Sequence, residues 1–206
     1  MAENVIIQEG IPIVSDPLEQ FKDWYINAKA HPEIISAESF CLSTSSLNGL
    51  PSSRMLLMAQ LSKDGLSFLT GSRSQKGKDL KENPFASCCF FWEPVYQQVK
   101  IQGRVEISNE LSDLFWDDVP RELQLSAATW TQGELVSTRQ AFVEKRNELV
   151  EKFYNKPVPR PADNLAYTLK PTQFEFYQSN ALKIPDLIQY KWDEEKKIWS
   201  AIRLGI

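Results

Sequence analysis

The stretch that most constrains this chain runs from Phe85 to Ile107. Residues 85–92 read FASCCFFW, an almost unbroken apolar run between Asn83-Pro84 and Glu93-Pro94. Eight residues suit a strand and fall short of a buried helix. After the break, residues 97–107 alternate: Val99, Ile101, Val105 and Ile107 share one face, and Gln98, Lys100 and Gln102 the other. That is the pattern of a half-buried antiparallel strand. A strand expected to be buried on both faces, next to one wetted on a single face, calls for a layered or closed β structure.

The flanking sequence supplies the other elements. Asp16-Pro17 reads as a helix start, with Asp as N-cap and Pro in the first turn. Leu18, Phe21, Trp24, Tyr25 and Ala28 then recur at helical spacing, which predicts a helix over 17–30. Strands are predicted at 40–46, 52–62 and 66–70, the first two joined at Asn48-Gly49, a hairpin signal. A short helix follows at 75–82. Further helices are predicted at 109–118, 121–130 and 137–154, the last with Ser137 and Gln140 as a capping box. Pro157, Pro159 and Pro161 read as a stiff surface linker. The last strands are expected near 165–170, 173–178, 187–192 and 198–204. Seven to eight antiparallel strands in one domain favour a closed or split barrel, because closure removes edges. The βαβ alternation and glycine-rich loops of the common nucleotide folds are missing from the pattern. The 206 residues fit one domain, with 1–15 as a flexible arm and 16–206 as the folded unit.

Composition narrows the chemistry. A net charge of -4 argues against bulk nucleic-acid binding. One histidine, His31, leaves little for a histidine metal site or a catalytic triad. Cys41, Cys88 and Cys89 lie in contexts that read as buried strand, are odd in number and form no C-x-x-C. Neither a disulfide framework nor a metal site is therefore expected. The N-terminus has no long apolar stretch, so the expectation is a cytoplasmic protein without a membrane span. What remains is a set of cations and amides. Arg54 lies in a strand, Arg73 and Lys76 lie at the start of the short helix, and Gln98 and Gln132 lie nearby in the pattern. A helix N-terminus beside an arginine fork suits a phosphate. Ordinary ion pairs and wet-face amides explain the same residues, and both readings stand at this point.

Seven segments resemble the pyridoxine/pyridoxamine 5′-phosphate oxidase family in order and spacing. They are Asp16-Pro17-Leu18-Glu19-Gln20-Phe21, Ser53-Arg54-Met55-Leu56-Leu57, Ser74-Gln75-Lys76-Gly77, Asn83-Pro84-Phe85-Ala86-Ser87, Phe91-Trp92-Glu93-Pro94, Gln98-Val99 and Arg203-Leu204-Gly205. The resemblance spans residues 16–206. It implies an α+β, mainly antiparallel split β-barrel with peripheral helices. It also implies a homodimer with FMN between the two chains. The implied activity is oxidation of the 4′ carbon of pyridoxine or pyridoxamine phosphate to pyridoxal 5′-phosphate, with O2 as acceptor, in pyridoxine biosynthesis. No catalytic side chain is implied, since the flavin itself accepts the hydride.

Carried over by position, the resemblance assigns Arg54 and Lys76 to the FMN phosphate and the backbone of Met55, Leu56 and Leu57 to the flavin. Thr70 becomes a hydroxyl on the phosphate side, and Gln98 and Gln132 become amides facing the ring and its tail. Gln75 stands where the family has Arg, Tyr177 where it has Trp, and Leu187 where it has a further Arg. The substrate positions depart more. The family's phosphate-binding Lys falls on Ala59, and its Tyr, Arg and Ser on Phe115, Val119 and Leu123. Its Arg-x-His pair falls on Lys183 and Pro185, which leaves Lys183 as the candidate substrate cation. Losing three or four charge-assisted bonds would cost a phosphate substrate about 5–10 kcal/mol. A less anionic substrate, or a non-catalytic FMN protein, is the alternative expectation.

Overall fold

The computed structural model describes residues 10–180 and 183–206. Most of the expected arm, residues 1–9, lies outside the described residues. Further along it, the Ile11 N–H donates to Asp186 (2.6 Å) and the Val14 N–H to the Tyr190 hydroxyl (2.9 Å). Helix α1 (Pro17–Ala30) starts as expected, the Asp16 carboxylate accepting from the Leu18 N–H. Its buried face, Phe21, Trp24 and Ala28, closes one end of the barrel.

Nine strands form one sheet: β1 (Ser39–Ser45), β2 (Pro51–Leu57), β3 (Gln60–Ser62), β4 (Gly65–Gly71), β5 (Phe85–Trp92), β6 (Gln97–Ser108), β7 (Asn164–Asn180), β8 (Lys183–Asp193) and β9 (Ile198–Leu204). The order is β2-β1-β5-β6-β7-β4-β3, with β8 and β9 branching from β7. All pairings are antiparallel. β1 and β2 turn at Gly49, whose φ of +83° favours a residue without a side chain.

Two strand boundaries differ from the sequence pattern, each for a reason of register. The strand expected over 52–62 breaks after Leu57. There the Met58 N–H bonds to Glu38 and the Ala59 N–H to Ser67, so the chain turns a corner from the β1 edge to the β4 edge. The two strands expected at 165–170 and 173–178 are one strand of 17 residues. Its first part pairs with β4 and its second with β8, while β6 runs along its other edge. A register shift between Gln102 and Gly103 leaves Thr172 unpaired, next to Pro171, which lies opposite Gly103. Such a bulge bends a strand enough to serve two sheet segments. Only glycine fits there, because a Cβ on Gly103 would lie 1.9 Å from the Lys170 carbonyl oxygen.

The core is aromatic. Phe21, Phe40, Phe68, Phe90, Phe174 and Phe176 are fully buried, and Phe21 and Phe90 meet with ring centroids 5.0 Å apart. A second, smaller cluster joins α3 (Asn109–Asp118), α4 (Arg121–Thr129) and α5 (Arg139–Lys152) through Trp116, Leu125 and Val158. The proline-rich linker docks onto it: Val158 is buried and its carbonyl accepts from the Trp116 indole (2.8 Å). α5 is capped by Thr138, which accepts from the Ala141 N–H, and Gln140 bonds Glu144 instead of forming the expected box.

Three burial expectations are corrected. β5 alternates: Ala86, Cys88, Phe90 and Trp92 face the core, while Phe85 and Phe91 face outward and are more than half exposed. Ile107 is exposed at the end of β6. Cys88 faces the core, but Cys41 and Cys89 sit opposite each other on the outer face. Among the described residues, no helix is long and apolar enough to cross a membrane.

Candidate functional site

The short helix α2 (Gln75–Glu82) packs beside β1 and carries the first group of candidate residues. Ser74 caps it, accepting from the Gly77 N–H and donating to the Gly71 carbonyl (2.7 Å). This brings Lys76 inward, where it is 4% exposed. Its ammonium donates to Ser74 (3.1 Å) and to the Gln132 side-chain oxygen (3.2 Å), which also accepts from Thr70 (3.4 Å). Across the hairpin, Arg54 donates to Thr44 (2.9 Å), the Leu42 carbonyl (3.3 Å) and Ser52 (2.6 Å). The Thr44 hydroxyl donates to Asp79 (2.6 Å), and Asp79 also accepts from Gln75 (2.7 Å). Arg54 and Gln75 thus belong to one hydrogen-bonded network, through Thr44 and Asp79, and Lys76, Thr70 and Gln132 to a second; the two lie close enough for the charge of Arg54 to act on Lys76. Arg73, the other cation of this segment, is solvent-exposed and turns away towards Glu134 and Asp163.

The electrostatics of the cluster are unbalanced. Burial, and then the positive charge of Arg54, push the Lys76 ammonium down to about 8 from its ordinary 10.5. Burial likewise lowers Arg54, with Asp79 opposing. Among the described residues neither cation has a carboxylate within 4.0 Å. Two cations and one buried carboxylate leave an excess positive charge in a site with little access to water. An oxyanion satisfies such a site by supplying both charge and acceptors.

A groove of about 450 Å³ opens beside the cluster, lined by Leu56, Thr70, Gln132, Trp130 and Phe142 among others. The Trp130 indole N–H and the Asn164 side-chain oxygen, both from residues lining this groove, are buried without partners.

The remaining candidates lie elsewhere. Met55 and Leu57 project to the outer face of β2, opposite to Arg54 and Leu56. On that outer face Phe91, Gln98, Tyr177 and Leu187 form one cross-strand row from β5 to β8. The row beside it runs Met55, Cys41, Cys89, Lys100, Glu175. β2 and β6 are three strand spacings apart, about 14 Å along the sheet. Within one chain, Gln98 and Tyr177 are thus separated from the cation cluster. Lys183 opens β8, but its side chain lies outside the described residues. Of the substrate positions, Phe115 is buried, Leu123 is exposed and Ala59 sits at the β2–β3 corner.

Sequence reasoning did not single out Thr44, Ser52 or Asp79. The available signal was the spacing of Gln75 and Asp79, four residues apart on a helix and so on one face. Thr44 and Ser52 gave no local signal, since only the hairpin register brings them to Arg54.

The pyridoxamine 5′-phosphate oxidase family profile matches residues 26–165 of the chain. A pyridoxine/pyridoxamine 5′-phosphate oxidase of Janthinobacterium sp. (strain Marseille) is 36% identical over 190 residues, 92% of this chain and 89% of that one. The pyridoxine-5′-phosphate oxidase of Bos taurus is 34% identical over 177 residues, 85% of this chain and 68% of that one. Among solved structures, PhzG from Burkholderia lata 383, in complex with tetrahydrophenazine-1-carboxylic acid, superposes with a TM-score of 0.87 at 24% identity over 94% of both chains. A pyridoxamine 5′-phosphate oxidase-related, FMN-binding protein from Nostoc punctiforme gives 0.74 at 17% identity, over 93% of this chain and 98% of that one. At these identities the two structures speak for the split-barrel fold alone.

Proposed function

The chain belongs to the pyridoxamine 5′-phosphate oxidase family, and from that premise we propose that it is an FMN-dependent oxidase converting pyridoxine or pyridoxamine 5′-phosphate to pyridoxal 5′-phosphate with O2 as acceptor. The observation that carries the cofactor assignment is the pair of Arg54, half-buried, and Lys76, buried, neither in direct contact with a carboxylate among the described residues. A phosphate monoester supplies the missing charge and acceptor oxygens. In this reading residues 16–206 act as one FMN-binding unit. Arg54 and Lys76 hold the phosphate, and Thr70 and Gln132 orient it from the groove side. Gln75, neutral and tied to Asp79, adds no charge. Leu56 supplies an apolar wall, and the backbone of Met55 to Leu57 lies along the ring. When bound, FMN supplies the hydride acceptor for the substrate carbon.

Gln98 and Tyr177 are assigned to the ring side of a site on a second copy. Their place on the outer face, about three strands from their own cations, supports a homodimer with a shared site. The exposed Phe85, Phe91, Met55 and Leu57 support the same reading, since a second chain would cover them. The three free cysteines support a cytoplasmic location.

A second substrate reading has its own observation. Ala59, Phe115, Val119 and Leu123 carry no charge where the resemblance places the substrate-phosphate residues. They favour a less anionic small molecule on the same flavin.

The test is reconstitution with FMN followed by pyridoxine phosphate, pyridoxamine phosphate and their unphosphorylated forms under O2. Aldehyde formed from the phosphates supports the first reading. Turnover of the unphosphorylated forms alone supports the second. A flavin never reduced by any of them leaves a non-catalytic FMN protein. Arg54→Ala is expected to weaken FMN at least tenfold; a protein that takes up no flavin contradicts the proposal altogether.

A further inference from the structure

We infer that Asp79 is the positioning residue of the cation cluster, acting on Arg54 through the Thr44 hydroxyl and on Gln75 directly. The inference rests on the phosphate assignment proposed above and asks what holds that site in shape before an anion arrives.

Asp79 is 2% exposed and uses both oxygens, one for Gln75 and one for Thr44. A buried carboxylate is tolerated only when it is hydrogen-bonded and compensated by charge. Here the compensation comes from Arg54, which the carboxylate reaches through one hydroxyl. Thr44 has a single proton to give. Donating it to Asp79 turns an oxygen lone pair towards Arg54, and Arg54 donates into it at 2.9 Å. A side chain at position 79 without an acceptor oxygen would free that proton to rotate towards Arg54, and the acceptor facing Arg54 would be lost.

The consequence for Arg54 can be counted. One terminal nitrogen is occupied by Thr44 and the Leu42 carbonyl, and the other gives one hydrogen to Ser52. Among the described residues this leaves Nε–H and one Nη2 hydrogen without a partner. These are the donors of Arg54 left for an oxyanion. Lys76 is held separately, by Ser74 and Gln132. Asp79 thus helps fix which donors of Arg54 are offered, and it does so across 35 residues of sequence from Thr44.

Electrostatics alone predicts the opposite effect of removing Asp79. Without its negative charge the cluster becomes more cationic and should attract a phosphate dianion more strongly. The two accounts therefore differ in sign.

The experiment compares FMN and riboflavin, which lacks the phosphate, by flavin fluorescence titration of the full chain and its Asp79→Leu variant. The expected result is at least a tenfold loss of FMN affinity with riboflavin affinity unchanged. Thr44→Val, which keeps Asp79 but breaks the relay, is expected to show the same phosphate-selective loss and serves where Asp79→Leu does not fold. Equal losses for both flavins, or FMN affinity that is unchanged or higher in Thr44→Val, overturn the positioning role. A wild-type protein that binds FMN no more tightly than riboflavin overturns the phosphate assignment itself, and is distinguished from the variant outcomes because it appears before any substitution.

Discussion

Replacing Lys76 by methionine should make the ligand-free protein more stable and its FMN complex weaker. The two opposed signs follow from one cause. Lys76 is buried beside Arg54 and its ammonium falls from 10.5 to about 8. In full, that fall is a penalty of about 3.4 kcal/mol for keeping the charge at pH 7. Relaxation of the surroundings and partial water penetration reduce it to about 2 kcal/mol. Methionine keeps the length of the side chain and removes the charge, at the cost of the two hydrogen bonds from Lys76 to Ser74 and Gln132, whose oxygen still accepts from Thr70. For a chain of this size about 2 kcal/mol is roughly 4–8 °C in Tm. The same substitution removes a charge-assisted bond to the phosphate, which is about ten- to hundredfold in FMN affinity. The assay is thermal denaturation of ligand-free protein at pH 7 and pH 10, with FMN titration alongside. The folded-state value lies below the unfolded one, so between about 8 and 10.5 the unfolded chain holds more protons and wild-type stability rises with pH. The gain from methionine should therefore shrink to about 1 kcal/mol at pH 10. A variant less stable than wild type at pH 7, or a gain that does not shrink at pH 10, refutes the reasoning.

Three more outcomes are expected. FMN affinity should fall as pH rises above about 8, because the anion requires the protonated Lys76, while riboflavin affinity stays flat; fluorescence titrations at pH 7 and 9.5 measure this, and parallel curves contradict it. Phe90→Ala, at a fully buried position touching Phe21, Phe40 and Trp92, should cost about 3–5 kcal/mol in chemical denaturation. Gly103→Ala should push the Lys170 carbonyl out of the bulge and destabilise the barrel more than a surface Gly→Ala change such as Gly205→Ala, read as a shift in denaturation midpoint.

The sequence by itself determined the local elements and the residue types of the site. The α1 start at Asp16-Pro17, the α2 segment with Ser74 and Lys76, and the alternation along β6 depend on neighbours within about four residues, so composition and spacing expose them. The cations and amides were legible for the same reason, and the resemblance that gathers them is a pattern in order along the chain. What the sequence left open is what lies across from each residue. Phe85–Trp92 looks buried on both sides because its apolar residues are continuous, yet Phe85 and Phe91 face outward, left largely uncovered by the described residues. Residues 165–178 look like two strands because Pro171 interrupts them, yet the bulge at Gly103 joins them into one. Only the tertiary structure divided the candidate residues, setting Arg54 with Gln75 and Lys76 with Thr70 and Gln132 in two neighbouring networks, and Gln98 and Tyr177 on the outer face of the sheet. Only the β1–β2 register and the packing of α2 brought Thr44 and Asp79 to Arg54. Registers and sheet closure are contacts between segments tens of residues apart, and hydrophobic periodicity specifies which face of a strand is apolar without specifying what will pack against it.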